Sequence, residues 1–253
     1  DAFPVYFSYN FAANPRNVKI TAAERFCFGY GYTNGDPTVS GLRANGQGDE
    51  ITLTFKQNLI INDPQNIYGA SRIQSLNLTD ISHAIVGTLN LNKCIRLRNL
   101  DASCSTGQKA LTGLILENCR DLRSLDVNGL NGLTSLNLAE NRKLETLDAA
   151  DTQLTNVIFA QGGTMSTAKL PASLQTLELR YLQNLAPDAL TFAGTPAVTR
   201  LVVDNCPLID WQTLLNRCPS TTYLRVTGID ESGRGELLRK FLTMKGVDEN
   251  GNN

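Results

Sequence analysis

Leu133-Thr134-Ser135-Leu136-Asn137-Leu138-Ala139-Glu140-Asn141-Arg142-Lys143-Leu144-Glu145-Thr146-Leu147-Asp148-Ala149 is the stretch that decides the fold. It opens on an apolar-x-x-Leu-x-apolar cadence at Leu133, Leu136 and Leu138, with Asn141 three residues after Leu138. A second cadence follows, Leu144-x-x-Leu147-Asp148-Ala149. In a strand, Leu136 and Leu138 point to one side and Asn137 to the other. A strand this short cannot bury its leucines alone, so it needs copies of itself on either side.

The copies are present. Working outward, the first cadence reads Ile73-x-x-Leu76-x-Leu78, Val86-x-x-Leu89-x-Leu91, Leu111-x-x-Leu114-x-Leu116, Leu154-x-x-Val157-x-Phe159, Leu174-x-x-Leu177-x-Leu179 and Val198-x-x-Leu201-x-Val203, ending at Leu224-x-Val226. With Leu133 included, successive copies lie 13, 25, 22, 21, 20, 24 and 23 residues apart. A period of that length predicts a solenoid whose turns share one continuous core. The second cadence recurs at Leu97-x-x-Leu100-Asp101-Ala102 and Leu122-x-x-Leu125-Asp126-Val127, then fades after Ala149. The first set, unbroken to Val226, is therefore expected to form the concave sheet, with strands and loops opposite. Gly162-Gly163 and Pro171 read as an inserted loop, and Trp211–Leu215 as a helical turn on the convex side.

The pattern Leu-x-Leu-x-x-Asn/Cys-x-x-Leu-x-x-Leu-Asp-Ala/Val, best seen in Ser135–Asn141 and Thr146–Ala149, resembles leucine-rich repeat proteins of the bacterial internalin-like type. That likeness covers roughly three-fifths of the chain and implies an α/β solenoid, a right-handed superhelix with a parallel concave sheet. It also implies a ladder of buried cysteines. Cys94, Cys119 and Cys206 fall on the Asn141 position, which agrees with buried free thiols, disulfides being the alternative reading. A weaker likeness, carried by Asn66-Ile67-Tyr68-Gly69-Ala70-Ser71 and Gly246-Val247-Asp248-Glu249-Asn250-Gly251-Asn252, is to leucine-rich repeat proteins of gut tailed bacteriophages.

The repeat divides the chain. Residues 1–72 read as a β-rich N-terminal cap: Val5-Tyr6-Phe7-Ser8-Tyr9-Asn10-Phe11, Phe26-Cys27-Phe28 and Ile51-Thr52-Leu53-Thr54-Phe55 alternate at period two between glycine-rich turns. A carbohydrate-binding aromatic face is the alternative there, and a short turn or helix is expected at Asp63–Ser71. Residues 73–228 are the solenoid and 229–246 a capping helix, started by Ser232, with Leu237, Leu238, Phe241 and Leu242 on one face. Residues 247–253 form a polar tail. A chain that opens at Asp1 with no basic-then-apolar leader reads as a processed or trimmed piece.

Chemistry is thinly represented. A single His83 supplies no triad or zinc site, and neither a G-x-G-x-x-G nor a P-loop string occurs, so no enzyme, cofactor or metal is expected. Asp101, Asp126 and Asp148 should stack on successive turns; the structural reading has them bonding loop amides, a bound cation being the alternative. A net charge of -1 lacks the basic excess of nucleic-acid binders, and no apolar run is long enough for membrane insertion.

A binding role remains. The outward columns of the first set are bland up to the middle of the stack, then gather Glu178, Arg180, Arg200, Val202, Asp204, Tyr223 and Arg225, with Ile115 and Ile158 as exposed apolar residues. Tyr and Arg dominate binding hot spots, although Glu178 and Arg200 on adjacent turns could equally form an internal ladder. The expected function is recognition of a protein or glycan ligand on the concave face, at an extracellular or cell-surface location. The alternative is a structural component of a bacteriophage virion, in contact with other virion subunits.

Overall fold

In the computed structural model, the residues described are 6–10, 16–22, 27–28, 49–55, 60–68, 73–79, 85–92, 94–107, 109, 111–229 and 231–244. The chain winds as a parallel β-solenoid of about six turns. Each turn but the last contributes one strand to a back sheet and one to a front layer that is itself divided into two ladders. The back sheet takes β6 (Ile73–Asn77), β8 (Asn99–Asp101), β10 (Ser124–Asp126), β12 (Thr146–Asp148), β14 (Thr167–Pro171) and β16 (Leu190–Ala193). The front sheet takes β7 (Ile85–Asn90), β9 (Leu111–Ile115), β11 (Ser135–Leu138), β13 (Asn156–Phe159), β15 (Thr176–Arg180), β17 (Arg200–Asp204) and β18 (Tyr223–Thr227). Front ladders join β7 to β9 and β11 through β18 in order; β9 lies beside β11 without a ladder between them. In the last turn a helix, α1 (Trp211–Arg217), stands where the back strand would be.

This arrangement corrects three expectations. The Ile73 copy belongs to the back sheet: Ser75, Leu76 and Asn77 pair in register with Asn99, Leu100 and Asp101. Its 13-residue offset from Val86 is therefore half a turn. The second set does not fade at Ala149; Ala168 and Leu190 carry it on, and their smaller or irregular neighbours hid the cadence. Gly162-Gly163 and Pro171 consequently sit in an ordinary turn, the one containing β14, and not in an insertion.

Ahead of the solenoid lie β1 (Tyr6–Asn10), β2 (Arg16–Ala22), β3 (Cys27–Phe28), β4 (Asp49–Phe55) and β5 (Ile60–Tyr68). β1 pairs antiparallel with β7, and β2 with β6, so the direction of pairing reverses at this end of both sheets. β5 runs through to Tyr68, which replaces the turn or helix expected at Asp63–Ser71. The aromatic side chains of this region, His83, and residues 245–253, with Gly246 and the tail, lie outside the described part. At the other end α2 spans Glu231–Met244, so Ser232 sits inside the helix and not at its cap. Leu237 and Leu242 are partly covered, whereas Leu238 is 59% exposed, and the expected single apolar face is broken there.

The core is a stack of inward leucines. Leu89, Leu114, Leu136, Val157, Leu177 and Leu201 follow one another along the front, and Leu76, Leu100, Leu125, Leu147 and Leu170 lie along the back, all buried. Each fully buried side chain of this size contributes about 1.5–3 kcal/mol. The corners close by local hydrogen bonds. After β7, β9 and β11 the Cys/Asn position makes two consecutive turns, as where Cys119 N–H donates to Leu116 O at 2.9 Å and Leu122 N–H to Cys119 O at 3.1 Å. Asn141 sits at this position and donates through Nδ2 to the carbonyls of Leu116 (3.0 Å) and Cys119 (2.9 Å) in the preceding turn.

Strand ends follow a second rule. The outward Asn or Asp closing a strand accepts the amide two residues on: Asn90 from Asn92 and Asn77 from Thr79 (both 3.0 Å), Asn137 from Ala139 and Asp148 from Ala150 (both 3.1 Å), Asp126 from Asn128 (2.9 Å). Such side chains end the strand by satisfying the first loop amide. Gly129 lies in this loop with φ +76, and a Cβ there would collide with the Cys104 carbonyl of the previous turn.

Candidate binding face

From β13 onward the front sheet is built differently. Its outward columns are fixed by strand register: Asn156, Thr176, Arg200 and Tyr223 in one, Ile158, Glu178, Val202 and Arg225 in the next, Arg180, Asp204 and Thr227 in the third. The structure thus brings together Ile158, Glu178, Arg180, Arg200, Val202, Asp204, Tyr223 and Arg225. It leaves Ile115 apart, on β9 beyond the break in the front ladders and partly buried instead of exposed.

The charged side chains form one connected cluster. Arg180 is clamped: Nη1 donates to Asp204 Oδ2 at 2.7 Å and Nη2 to Glu178 Oε2 at 3.0 Å. Arg200 donates through Nε to Glu178 Oε1 at 2.8 Å, and its guanidinium lies 4.1 Å above the centre of the Tyr223 ring. Arg225 Nε lies 3.2 Å from Asp204 Oδ1, which also accepts the Thr227 hydroxyl at 3.2 Å. Hydrogen bonds from Arg200 and then Arg180 hold the Glu178 carboxyl below its ordinary range.

Burial separates this cluster from ordinary surface ion pairs. Asp204 points outward yet is only 2% exposed, and Val202, also outward, is fully buried. Val202 lies between Glu178 and Arg225 across the sheet, and between Arg200 and Asp204 along its strand, so their stems roof it. Elsewhere the inter-turn pairs are exposed: Arg123 with Glu145 at 2.9 Å and Lys143 with Asp121 at 2.5 Å, whose worth is about 0–1 kcal/mol.

Around the cluster stand exposed large side chains: Ile158 (47%), Tyr223 (44%) and Tyr181 (48%). A shallow groove of about 130 Å³ runs between β13 and β15, lined by Asn156, Ile158, Gln161, Glu178 and Arg180. The sequence reading missed Tyr181. It occupies the left-handed region (φ 56), as do Asn205 (φ 50) and Gly228 (φ 80), each the first residue after its strand. Asn and Gly are ordinary occupants of that conformation and Tyr is not. The signal was legible: aligned turn by turn, the position reads Tyr181, Asn205, Gly228.

The back sheet offers a different chemistry. Asp101, Asp126 and Asp148 stack in register, with Lys169 next in the column and its Nζ 2.9 Å from Asp148 Oδ2. All three carboxylates accept loop amides, as the structural reading expected. Burial first, then the charges of Asp101 and Asp148, push the Asp126 carboxyl above its ordinary range, against the opposing Asn128 amide. Among the described residues, no group of three or more His, Cys, Asp or Glu side chains is placed to hold a metal ion. Cys94, Cys104, Cys119, Cys206 and Cys218 are all free and buried. Burial raises the Cys119 thiol to about 12 and Cys218 to about 11, so both remain protonated. No described helix is long and apolar enough to cross a membrane.

Neither a family model nor any curated protein or solved structure matches this chain significantly. Architecture alone defines its class, a repeat protein built as a parallel β-solenoid.

Proposed function

We propose that the chain is a non-catalytic recognition module that binds a protein through the outward face of β13, β15, β17 and β18. The observation that carries this reading is the cluster itself: a desolvated Asp204 holds Arg180 and Arg225, Glu178 holds Arg200 and Arg180, and two exposed tyrosines and an exposed isoleucine stand around them. Side chains already held in position lose little rotamer freedom on binding, which is what a preorganised surface requires. Tyr and Arg are also the residues most enriched in binding hot spots.

We read the scaffold as a leucine-rich repeat of the internalin-like type. The support is the Asn/Cys position, where Asn141 bonds the carbonyls of the turn before it. On the same reading the antiparallel N-terminal strands and α2 serve as caps, and the module acts at a cell or particle surface.

Selection of ligands from randomised peptide and glycan libraries against the whole chain tests the assignment of the face. A chain carrying Tyr223→Ser with Ile158→Ser should lose its enriched peptides by at least about tenfold in affinity. A chain carrying Thr146→Arg on the back sheet should keep them. Enrichment of glycans alone, or peptides lost only with the back-sheet substitution, would refute the proposal.

A further inference from the structure

We infer that the occupant of this face is an acidic polypeptide segment, one of whose carboxylates sits across Arg200 and Arg225 beside Tyr223. This rests on the reading of the face as a protein-binding surface. Within the cluster three guanidinium groups meet two carboxylates, which leaves one positive charge in excess. The three arginines are also unequal. Arg180 spends both terminal nitrogens on Asp204 and Glu178, and its side chain is 25% exposed. Arg200 and Arg225 meet their carboxylates through Nε, and their side chains are 40% and 50% exposed. The terminal fork, the part of a guanidinium that grips a carboxylate with two parallel hydrogen bonds, is not committed to those carboxylates, although Arg200 also bonds the Tyr223 side chain.

Their positions suit a shared ligand. Arg200 on β17 and Arg225 on β18 stand on adjacent strands two residues apart in register, with Tyr223 directly beside Arg200. Strand spacing and rise place the two Cα atoms about 8 Å apart, within reach of a single carboxylate for side chains of this length. The Tyr223 ring holds the Arg200 guanidinium flat and shields one of its faces, so an incoming anion meets a fixed edge. Glu178 and Asp204 fix the inner edges of both groups and screen part of their charge, which favours a carboxylate on an extended chain over a dense polyanion. The neighbouring groove between β13 and β15, with Ile158 exposed at its edge, offers an apolar contact for a residue adjacent in the bound segment.

A labelled glutamate-rich peptide of about ten residues, titrated against the whole chain by fluorescence anisotropy at low and at physiological salt, tests the inference. Saturable binding that weakens with salt is expected. Arg225→Gln should weaken it by about tenfold or more, and Arg225→Lys, which keeps the charge and loses the fork, by less. Arg123→Gln on the far corner should leave it unchanged. Absence of saturable binding at low salt, an equal loss with Arg123→Gln, or displacement by heparin far below the peptide's own concentration would overturn the acidic-peptide assignment. The library selection separates the two levels. If enriched peptides are lost with Tyr223→Ser but carry no acidic residues, the binding face stands and only its occupant is wrong.

Discussion

Tyr181 shows most clearly how one residue departs from what folding alone would choose. Its backbone sits at φ 56, in the conformation that Gly228 supplies without strain after the last front strand. Holding a bulky residue there costs roughly 1–3 kcal/mol, and such strain is characteristic of functional sites. The ring is about half exposed and so recovers little of that cost through burial. Tyr181→Gly should therefore change folding stability by less than about 1 kcal/mol, because relief of strain offsets the extra freedom of glycine in the unfolded chain. Thermal unfolding measures this. A loss near the roughly 3–5 kcal/mol typical of removing a packed aromatic would show that Tyr181 is structural. At this scale the sequence revealed the arginines, Glu178, Asp204 and Tyr223 but misjudged two apolar residues. Val202 was read as surface because its strand position faces outward, and its burial among the ion-paired side chains around it is not something alternation registers. Ile115 was read as exposed on the same alternation, which says nothing about coverage from adjacent turns.

At the scale of the element, the back strands carry a column of like charges that their geometry tolerates without favouring. Asp126 lies between Asp101 and Asp148, and its carboxyl is raised above the ordinary range by burial and by those two neighbours. A carboxyl whose pKa is higher folded than unfolded destabilises the fold when ionised. That cost is present above the folded pKa and disappears as pH falls through it. Asp126→Asn keeps the oxygen that accepts the Asn128 amide and removes the charge. It should raise stability at neutral pH by up to about 1 kcal/mol, since the group is partly exposed and screened. The gain should shrink to nothing near pH 3. Thermal melts at both pH values check this, and a less stable variant at neutral pH would mean the charge itself is needed. The strand cadence predicted these elements through Asp148. It failed beyond, because β14 puts Ala168 and Lys169 where Leu147 and Asp148 had marked the pattern, and β16 follows its Leu190 with Thr191, and pairing with a formed neighbour matters more than local composition.

Over the whole molecule the repeat determines the architecture, and the proposed function rests on the exceptions to the repeat. Most turns end their strands with an Asn or Asp that does no more than close a loop, and their outward faces are small and polar. The last turns abandon that economy: longer side chains and a buried carboxylate cluster on one face of one sheet, beside a tyrosine in the left-handed region. The solenoid was readable from the sequence because its period needs only apolar spacing. The half-turn placement of Ile73 was not, because spacing alone cannot say to which of two sheets a strand belongs.

Carbene footprinting of the whole chain, alone and with the tightest peptide from the library selection bound, tests most directly the claim that the face of β13 to β18 is where a partner sits. Protection should fall on Ile158, Tyr181 and Tyr223, while the equally exposed Ile95 and Leu208 remain labelled as before. Protection of the back strands around Thr146 and Thr167, with Ile158 and Tyr223 unchanged, would contradict it.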